Sequence, residues 1–587
     1  MKLLRRSLAI LAAFCFLHEG RAQAPQSLPF NQPITVSLKA GQVLSYSIPL
    51  KKGQFAAVKV EQKSVGIAYA LYAPGDSLLI NEDLNALYQT EVIPVAATKS
   101  GNYRIDIFWD YGRPQQGDVT ILWHLLEPGG KTIPRLAEQY MKGWYPDNEP
   151  GAAVLVLKDN KVVFKSTRGL ANMDYRIPVT DSSAFELASC SKQFTGFAIA
   201  MLIDQGVLSL QDDVRKYLPE LPDFGQKITI EHLLYHTSGL RNWDSMSNSM
   251  GFETDDALTM DLIYKMICST STLNFNPGER FSYTNTGYNL LVLIAERATH
   301  QKFDQWMASN IFQPLGMKNS LVRTDLKKVI PNKVSSYQKG LEGFNARADN
   351  ISAPGSTSVV STIDDLAKWL VNYETGTAGG RNVQKLLNQK TRLTNGDTLT
   401  YYAFGNGFGS RKGVSSVEHL GLVSGFRTII SRYPSQNLAV VFLSCDNNDA
   451  TYNRCWTLTD LFLSNKKEQA LPPVKFPDLS ESLAKTMSDQ GIQYPVDPKE
   501  YEGLYYAEEL NMHYKLVIRE GVLTAISAKL GNIPLTWQKA DYFSGVFQTT
   551  ERRFLFGRDE SKAVYAFRLT GGDKPVLFRK MVESPKL

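Results

Sequence analysis

Ser189 and Lys192 stand three residues apart in the run Phe185-Glu-Leu-Ala-Ser189-Cys-Ser-Lys192. On a helix, residues three apart share a face, so this spacing sets the lysine amine beside the serine hydroxyl. A serine hydroxyl is a weak nucleophile at neutral pH and needs a neighbouring base. Lysine is such a base only where desolvation or nearby cations lower its pKa. The residues that follow supply the burial: Phe194, Phe197, Ala198, Met201 and Leu202 recur at helical spacing and predict a buried helix ending near Gly206, a suitable left-handed cap. Ser189 then lies at or near the first turn. There the helix dipole favours both a neutral amine and a developing negative charge.

An isolated Ser-x-x-Lys is short and common, and a serine that caps a helix beside a lysine reaching solvent is the plainer reading. Two further stretches argue against it. Tyr283-Thr-Asn285 follows the turn at Pro277-Gly278, and His419-Leu-Gly421 precedes a strand. Ser189-x-x-Lys192, Tyr283-x-Asn285 and His419-x-Gly421, in this order, resemble the serine β-lactamase, D,D-peptidase and esterase superfamily, in its class C β-lactamase-like branch. Leu208 to Pro219, Leu233-Leu-Tyr-His-Thr-Ser-Gly-Leu240 and Phe312-Gln-Pro-Leu-Gly-Met317 extend the resemblance over roughly residues 135–465.

The resemblance implies Ser189 as the acylated nucleophile, with Lys192 and Tyr283 sharing the proton transfers and no metal or organic cofactor. It implies that Asn285 holds the substrate's amide or acyl side chain and that Gly421 lets substrate backbone approach. The backbone N–H groups of Ser189 and Leu422 would form the oxyanion hole. Tyr283 suits its role, since a phenol near an ammonium loses its proton more easily. His419 takes the place of the lysine found in many members, and Leu420 the place of a hydroxyl residue. A mostly neutral histidine pulls weakly on a substrate carboxylate, which favours peptides, esters or amides over efficient penicillin hydrolysis. Any carboxylate preference should then grow toward acid as His419 gains a proton, with Arg427 the next candidate to hold that carboxylate.

His232 and His236 are spaced four apart, but no third ligand with recognisable spacing follows, so a zinc site is not expected. Cys190 turns about 100° away from the face of Lys192 and is expected to pack. Two other classes of function remain open on sequence alone. One is a penicillin-recognising binding or sensor protein that acylates without turnover. The other is a structural role for the flanking β regions.

The elements that position these residues fall into three segments. Residues 25–128 alternate apolar and polar, as in Tyr103, Ile105, Ile107 and Trp109, and predict an N-terminal β-sandwich. Residues 135–465 mix helical and strand periods: an α+β, β-lactamase/transpeptidase-like domain whose antiparallel sheet draws strands from both ends of the segment. Residues 466–494 carry prolines and suit a linker. Residues 495–587 return to strands and predict a small, lipocalin-like β-barrel.

The chain has 587 residues, 43% hydrophobic and 21% charged, with a formal charge of +6. Half of that excess lies in residues 1–24, a basic start followed by an apolar run from Leu8 to Leu17, expected to be a cleaved signal peptide for a secreted or periplasmic protein. Bulky Phe14 before Cys15 disfavours lipid anchoring. The remaining charge is no nucleic-acid footprint, and no stretch is long enough to span a bilayer, so the expected partner is a small-molecule or peptide substrate. No feature sets an oligomeric state. Cys190, Cys268, Cys445 and Cys455 lack metal-ligand spacing and are expected as buried thiols; Cys445 and Cys455 are the nearest pair should a bridge form.

Overall fold

A computed structural model describes residues 24–82, 89–109, 116–252 and 255–464. It also describes 497–507, 510, 512–519, 521–527, 531–539, 541–547, 550–559, 561–570 and 576–581. Residues 1–23 and 465–496, which hold nearly all of the expected signal segment and the whole expected linker, lie outside them.

Toward the N-terminus two sheets face each other, one of five strands and one of four. The alternation read from the sequence explains the packing: Tyr103, Ile105 and Ile107 of one sheet share an apolar cluster with Val119, Ile121 and Trp123 of the other. The outer face of the four-stranded sheet is apolar too. Its Ala57 and Val92 pack with Ala137, Met141 and Trp144 of the Ile133–Trp144 helix, which lies against the central sheet. Lys59 with Glu149 (2.9 Å) and Lys339 with Glu61 add polar ties across this junction.

The central sheet has seven antiparallel strands. Ala152–Lys158 hairpins onto Lys161–Arg168 through Asp159 and Asn160, whose φ values of 51° and 61° give the tight turn their residue types favour. Ala152–Lys158 also pairs with Leu438–Ser444, from the far end of the segment. Phe426–Tyr433, Val414–Val423, Asn406–Arg411 and Tyr402–Ala403 follow in the sheet. Leu438–Ser444 is buried at every position because both faces are covered. Val440 and Phe442 meet Cys455 and Leu458 of the Ala450–Phe462 helix, whereas Val441 and Leu443 belong to the core around Phe194 and Phe197. The Ser191–Asp204 helix is enclosed all round, with every residue from Ser191 to Leu202 buried.

Near the C-terminus a nine-stranded sheet curls until its edge strands, Gly531–Pro534 and Thr536–Lys539, are separated in the chain only by Leu535. Its interior is filled by aromatic rings, with Phe567 and Phe578 stacked at 4.7 Å and Tyr505, Tyr514, Phe554 and Phe556 around them. Arg552 of this barrel-like sheet donates to the Asn248 carbonyl (2.6 Å) on the Trp243–Ser249 helix of the central segment. Among the described residues, no helix is long and apolar enough to cross a membrane.

Candidate active site

Ser189 sits in a 3-10 turn, Ala188–Cys190, that leads directly into the Ser191–Asp204 helix. Ala188 takes φ +50°, a left-handed conformation that a residue with a Cβ adopts only where its surroundings impose it. The surroundings here are specific. Thr428 Oγ1 donates to the Leu187 carbonyl (2.7 Å), Cys190 Sγ donates to the His419 carbonyl (3.0 Å), and the Ala188 N–H donates to Glu186 Oε1 (3.2 Å). The turn is thereby tied to the Val414–Val423 strand, which carries His419, Gly421 and Leu422.

Lys192 is 0% exposed. Its Nζ is 2.7 Å from Asn285 Oδ1, 2.9 Å from the Ser356 carbonyl and 3.2 Å from Ser189 Oγ. Burial drives its pKa well below the usual lysine value. A neutral amine has two N–H bonds and one lone pair. The Asn285 and Ser356 oxygens can only accept, so they take the two N–H bonds and leave the lone pair facing the Ser189 hydroxyl. Asn285 is held for this by its place as first residue of the Asn285–Thr299 helix, where its backbone N–H donates to Asn242 Oδ1 (3.1 Å). Its side-chain oxygen is thus engaged on Lys192, before any substrate arrives.

Tyr283 interacts with Ser189; the residue is 40% exposed and its ring lies 4.9 Å from the Lys192 amine. The expected easing of its proton loss by a nearby ammonium is not what the structure brings about. Desolvation lowers Lys192 and raises Tyr283, which favours amine and phenol over ammonium and phenolate.

His419 Nδ1 lies 2.7 Å from the Leu420 carbonyl and Nε2 3.0 Å from the Tyr402 hydroxyl. The carbonyl fixes the proton on Nδ1, leaving Nε2 to accept from Tyr402. Burial pushes His419 down to about 3, so the expected rise of carboxylate preference through its titration has no basis between pH 5.5 and 8. Arg427 also fails as a carboxylate holder. It pairs with Leu422 across the ladder, faces away from His419, and is engaged by Asp449 (3.0 Å), Asn447 and the Phe426 carbonyl.

Gly421 is also required by the protein's own packing. A Cβ there would stand 2.1 Å from Thr428 Oγ1, 2.5 Å from the Leu187 carbonyl oxygen and 3.0 Å from the Ala188 Cβ. Its missing side chain lets the strand close on the protein's own serine turn. Leu422, 56% exposed, comes next at the rim. The register with Asn406–Arg411 ends at Gly407 and Glu418, so the strand edge from His419 to Val423 has no further strand paired to it among the described residues.

Several residues of the site were not assigned to it from the sequence. His236, at φ +56°, accepts the Thr284 N–H at Nδ1 (3.3 Å) and lies beneath Tyr283 and Tyr402, 4.5 and 4.6 Å from their rings. His232 accepts the Thr229 N–H in a helix cap (3.2 Å), so both imidazoles have local work. Tyr402, in a two-residue edge strand, and the Ser356 carbonyl, in a turn, belong to no motif. Glu186 could have been noticed, as a charge inside an apolar run. Cys190 is buried and pushed up to about 12, which removes it as a nucleophile, and all four described cysteines are unbridged. The carboxylate whose charge reaches both Lys192 and Tyr283 is Asp244, on the Trp243–Ser249 helix. A pocket of about 550 Å³ opens beside Tyr283 and His419, walled by Tyr401, Tyr402, Phe408, Glu418 and Leu420.

The sequence profile described as Beta-lactamase matches residues 133–463, more than half of the chain, and the protein belongs to this family of serine hydrolases. It is 27% identical over 330 residues to penicillin-binding protein 4* of Bacillus subtilis, covering 51% of this chain and 69% of that one. It is 28% identical over 299 residues to a D-aminopeptidase of Gluconobacter oxydans, covering 50% of this chain and 55% of that one. Among solved structures, the octameric penicillin-binding protein homologue from Pyrococcus abyssi matches with TM-score 0.49 and 21% identity, over 76% of this chain and 99% of the other.

Proposed function

We propose that the protein hydrolyses amide or ester bonds through an acyl-enzyme on Ser189. The observation that carries this reading is the Lys192 amine, fully buried, 3.2 Å from the Ser189 hydroxyl and held by two obligate acceptors, a setting whose desolvation lowers its pKa and favours the free base. As Ser189 Oγ attacks the substrate carbonyl, its proton passes to Lys192. The carbonyl oxygen gains its negative charge in front of the Ser189 and Leu422 backbone N–H groups. Tyr283, resting as a phenol, gives its proton to the leaving group and regains one from the Lys192 ammonium. Water then attacks the ester, with the same groups running in reverse.

For substrates, we favour acyl groups that carry a free amine over those that carry a free carboxylate. Asp244 puts negative charge at the site, His419 is neutral, and Arg427 is committed elsewhere. The likeness to a D-aminopeptidase makes D-aminoacyl amides the first class to test. The leader-like segment 1–24 supports export from the cytoplasm.

Intact-mass analysis and peptide mapping after exposure to a fluorophosphonate should place one adduct on Ser189. D-aminoacyl amides should then be hydrolysed over many turnovers. A label elsewhere would overturn the assignment, and one stoichiometric burst without turnover would identify an acylating sensor instead.

A further inference from the structure

We infer that Glu186 is a positioning residue whose Oε1 clamps the two backbone segments that aim Ser189 and Lys192. This rests on the reading of Ser189 as nucleophile. The geometry is that of one acceptor holding two chains. Oε1 receives the Ala188 N–H at 3.2 Å and the Ser358 N–H at 2.7 Å. Ala188 immediately precedes Ser189. Ser358 lies two residues after Ser356, whose carbonyl accepts from Lys192. Both clamped residues have side chains yet sit in the left-handed region, Ala188 at φ +50° and Ser358 at φ +75°. Such backbone persists only where its surroundings hold it.

The rest of the 353–358 loop is anchored to the same helices. Thr195 Oγ1 donates to the Gly355 carbonyl (2.9 Å), Asn289 Nδ2 donates to the Pro354 carbonyl (2.8 Å), and the Val359 N–H donates to Ser191 Oγ (3.0 Å). Glu186 closes this frame from the side of the serine turn. It touches neither the Ser189 hydroxyl nor the Lys192 amine, so it acts through them.

The carboxyl is suited to hold backbone without disturbing the base. It is 1% exposed, and its Oε2 has no hydrogen-bond partner. Burial and the nearby Asp349 push its pKa up to about 8, against a smaller pull from Arg323. The neutral acid is thereby favoured over the carboxylate. Oε1 still accepts two N–H bonds, but no full negative charge stands behind the serine turn to favour an ammonium at Lys192. A glutamine would keep the acceptor and the neutrality; a methionine would keep the volume and lose the acceptor.

The test compares wild type, Glu186→Gln, Glu186→Ala and Glu186→Met by the second-order rate of fluorophosphonate labelling from pH 5.5 to 9, with the adduct mapped and folding checked by circular dichroism. Glu186→Met covers the case in which the alanine variant does not fold. Labelling should slow by about 10²-fold in the variants lacking the acceptor, the effect of misplacing reacting groups by about 1 Å, and by less than about 3-fold in Glu186→Gln. The acid limb of the rate profile should move upward in pH in the slow variants. There the loosened frame admits water to the amine and relieves the desolvation that lowers its pKa; Cys190, Asp244, Tyr283, His236 and His419 are the titratable groups around it. Folded Glu186→Ala or Glu186→Met with wild-type rates and an unmoved acid limb would overturn the clamp alone. A wild-type adduct away from Ser189 would overturn the clamp together with the proposed function.

Discussion

Substituting Gly421 by alanine tests whether the strand carrying His419 is set by contact with the serine turn. The added Cβ would lie 2.1 Å from Thr428 Oγ1 and 2.5 Å from the Leu187 carbonyl oxygen. The hydroxyl can rotate away; the carbonyl cannot move alone, because it accepts from Thr428 (2.7 Å) and from the Cys190 N–H (3.1 Å). Restoring ordinary contact therefore needs the strand and the turn to separate by about 1 Å, a misplacement that lowers rates by about 10²-fold, equivalent to roughly 2.7 kcal/mol of barrier. The overpacking itself should destabilise the fold by about 1–3 kcal/mol. Fluorophosphonate labelling rates and thermal unfolding are the measurements. The label should still map to Ser189, and adding Thr428→Ala should recover only part of the loss, since the Leu187 carbonyl remains. If Gly421 instead makes room for substrate backbone, the variant will label and melt like wild type and only the KM for peptides will rise. That result would refute the packing argument.

Four further outcomes are expected. Ser189→Ala abolishes labelling, whereas Cys190→Ser keeps it, because that thiol is buried, pushed up to about 12 and bonded to the His419 carbonyl; a label mapped to Cys190 would contradict this. Lys192→Ala slows acylation by about 10²–10⁴-fold. In wild type the rate rises with pH as the amine loses its proton, with a midpoint far below the ordinary lysine value of about 10.4, and a midpoint near that value would rule out desolvation as the activating cause. The preference between carboxylated and neutral esters stays flat from pH 5.5 to 8, because His419, pushed down to about 3, holds no added proton there; growth of the preference toward acid would show otherwise. Stability falls as pH drops below about 6.5, since buried neutral His236 and His419 gain protons only on unfolding, each contributing up to about 1.4 kcal/mol per pH unit. Urea unfolding of His419→Gln from pH 4 to 7 should show a shallower acid slope than wild type.

The sequence by itself determined the local elements and the pairing of serine with lysine. Spacing alone places Lys192 beside Ser189, because a helix repeats its face every three to four residues. Asp159-Asn160 specifies its hairpin through backbone angles those residues tolerate, and the alternation around Tyr103 to Ile107 specifies a two-sheet packing. The three motifs, read together, were enough to mark the family. What they could not contain was the state of each group, because burial and partners come from segments far apart in the chain. Lys192 receives its acceptors from positions 285 and 356, and His419 loses its proton to enclosure beside Tyr402. Gly421 is required by Thr428 and Leu187, Arg427 is turned to the far face by the pleat of its strand, and Glu186 becomes a clamp only once Ser358 reaches it. Residue type and short-range spacing decide which groups are offered; the desolvation and hydrogen bonds that set their charge and aim exist only after distant strands and loops have packed.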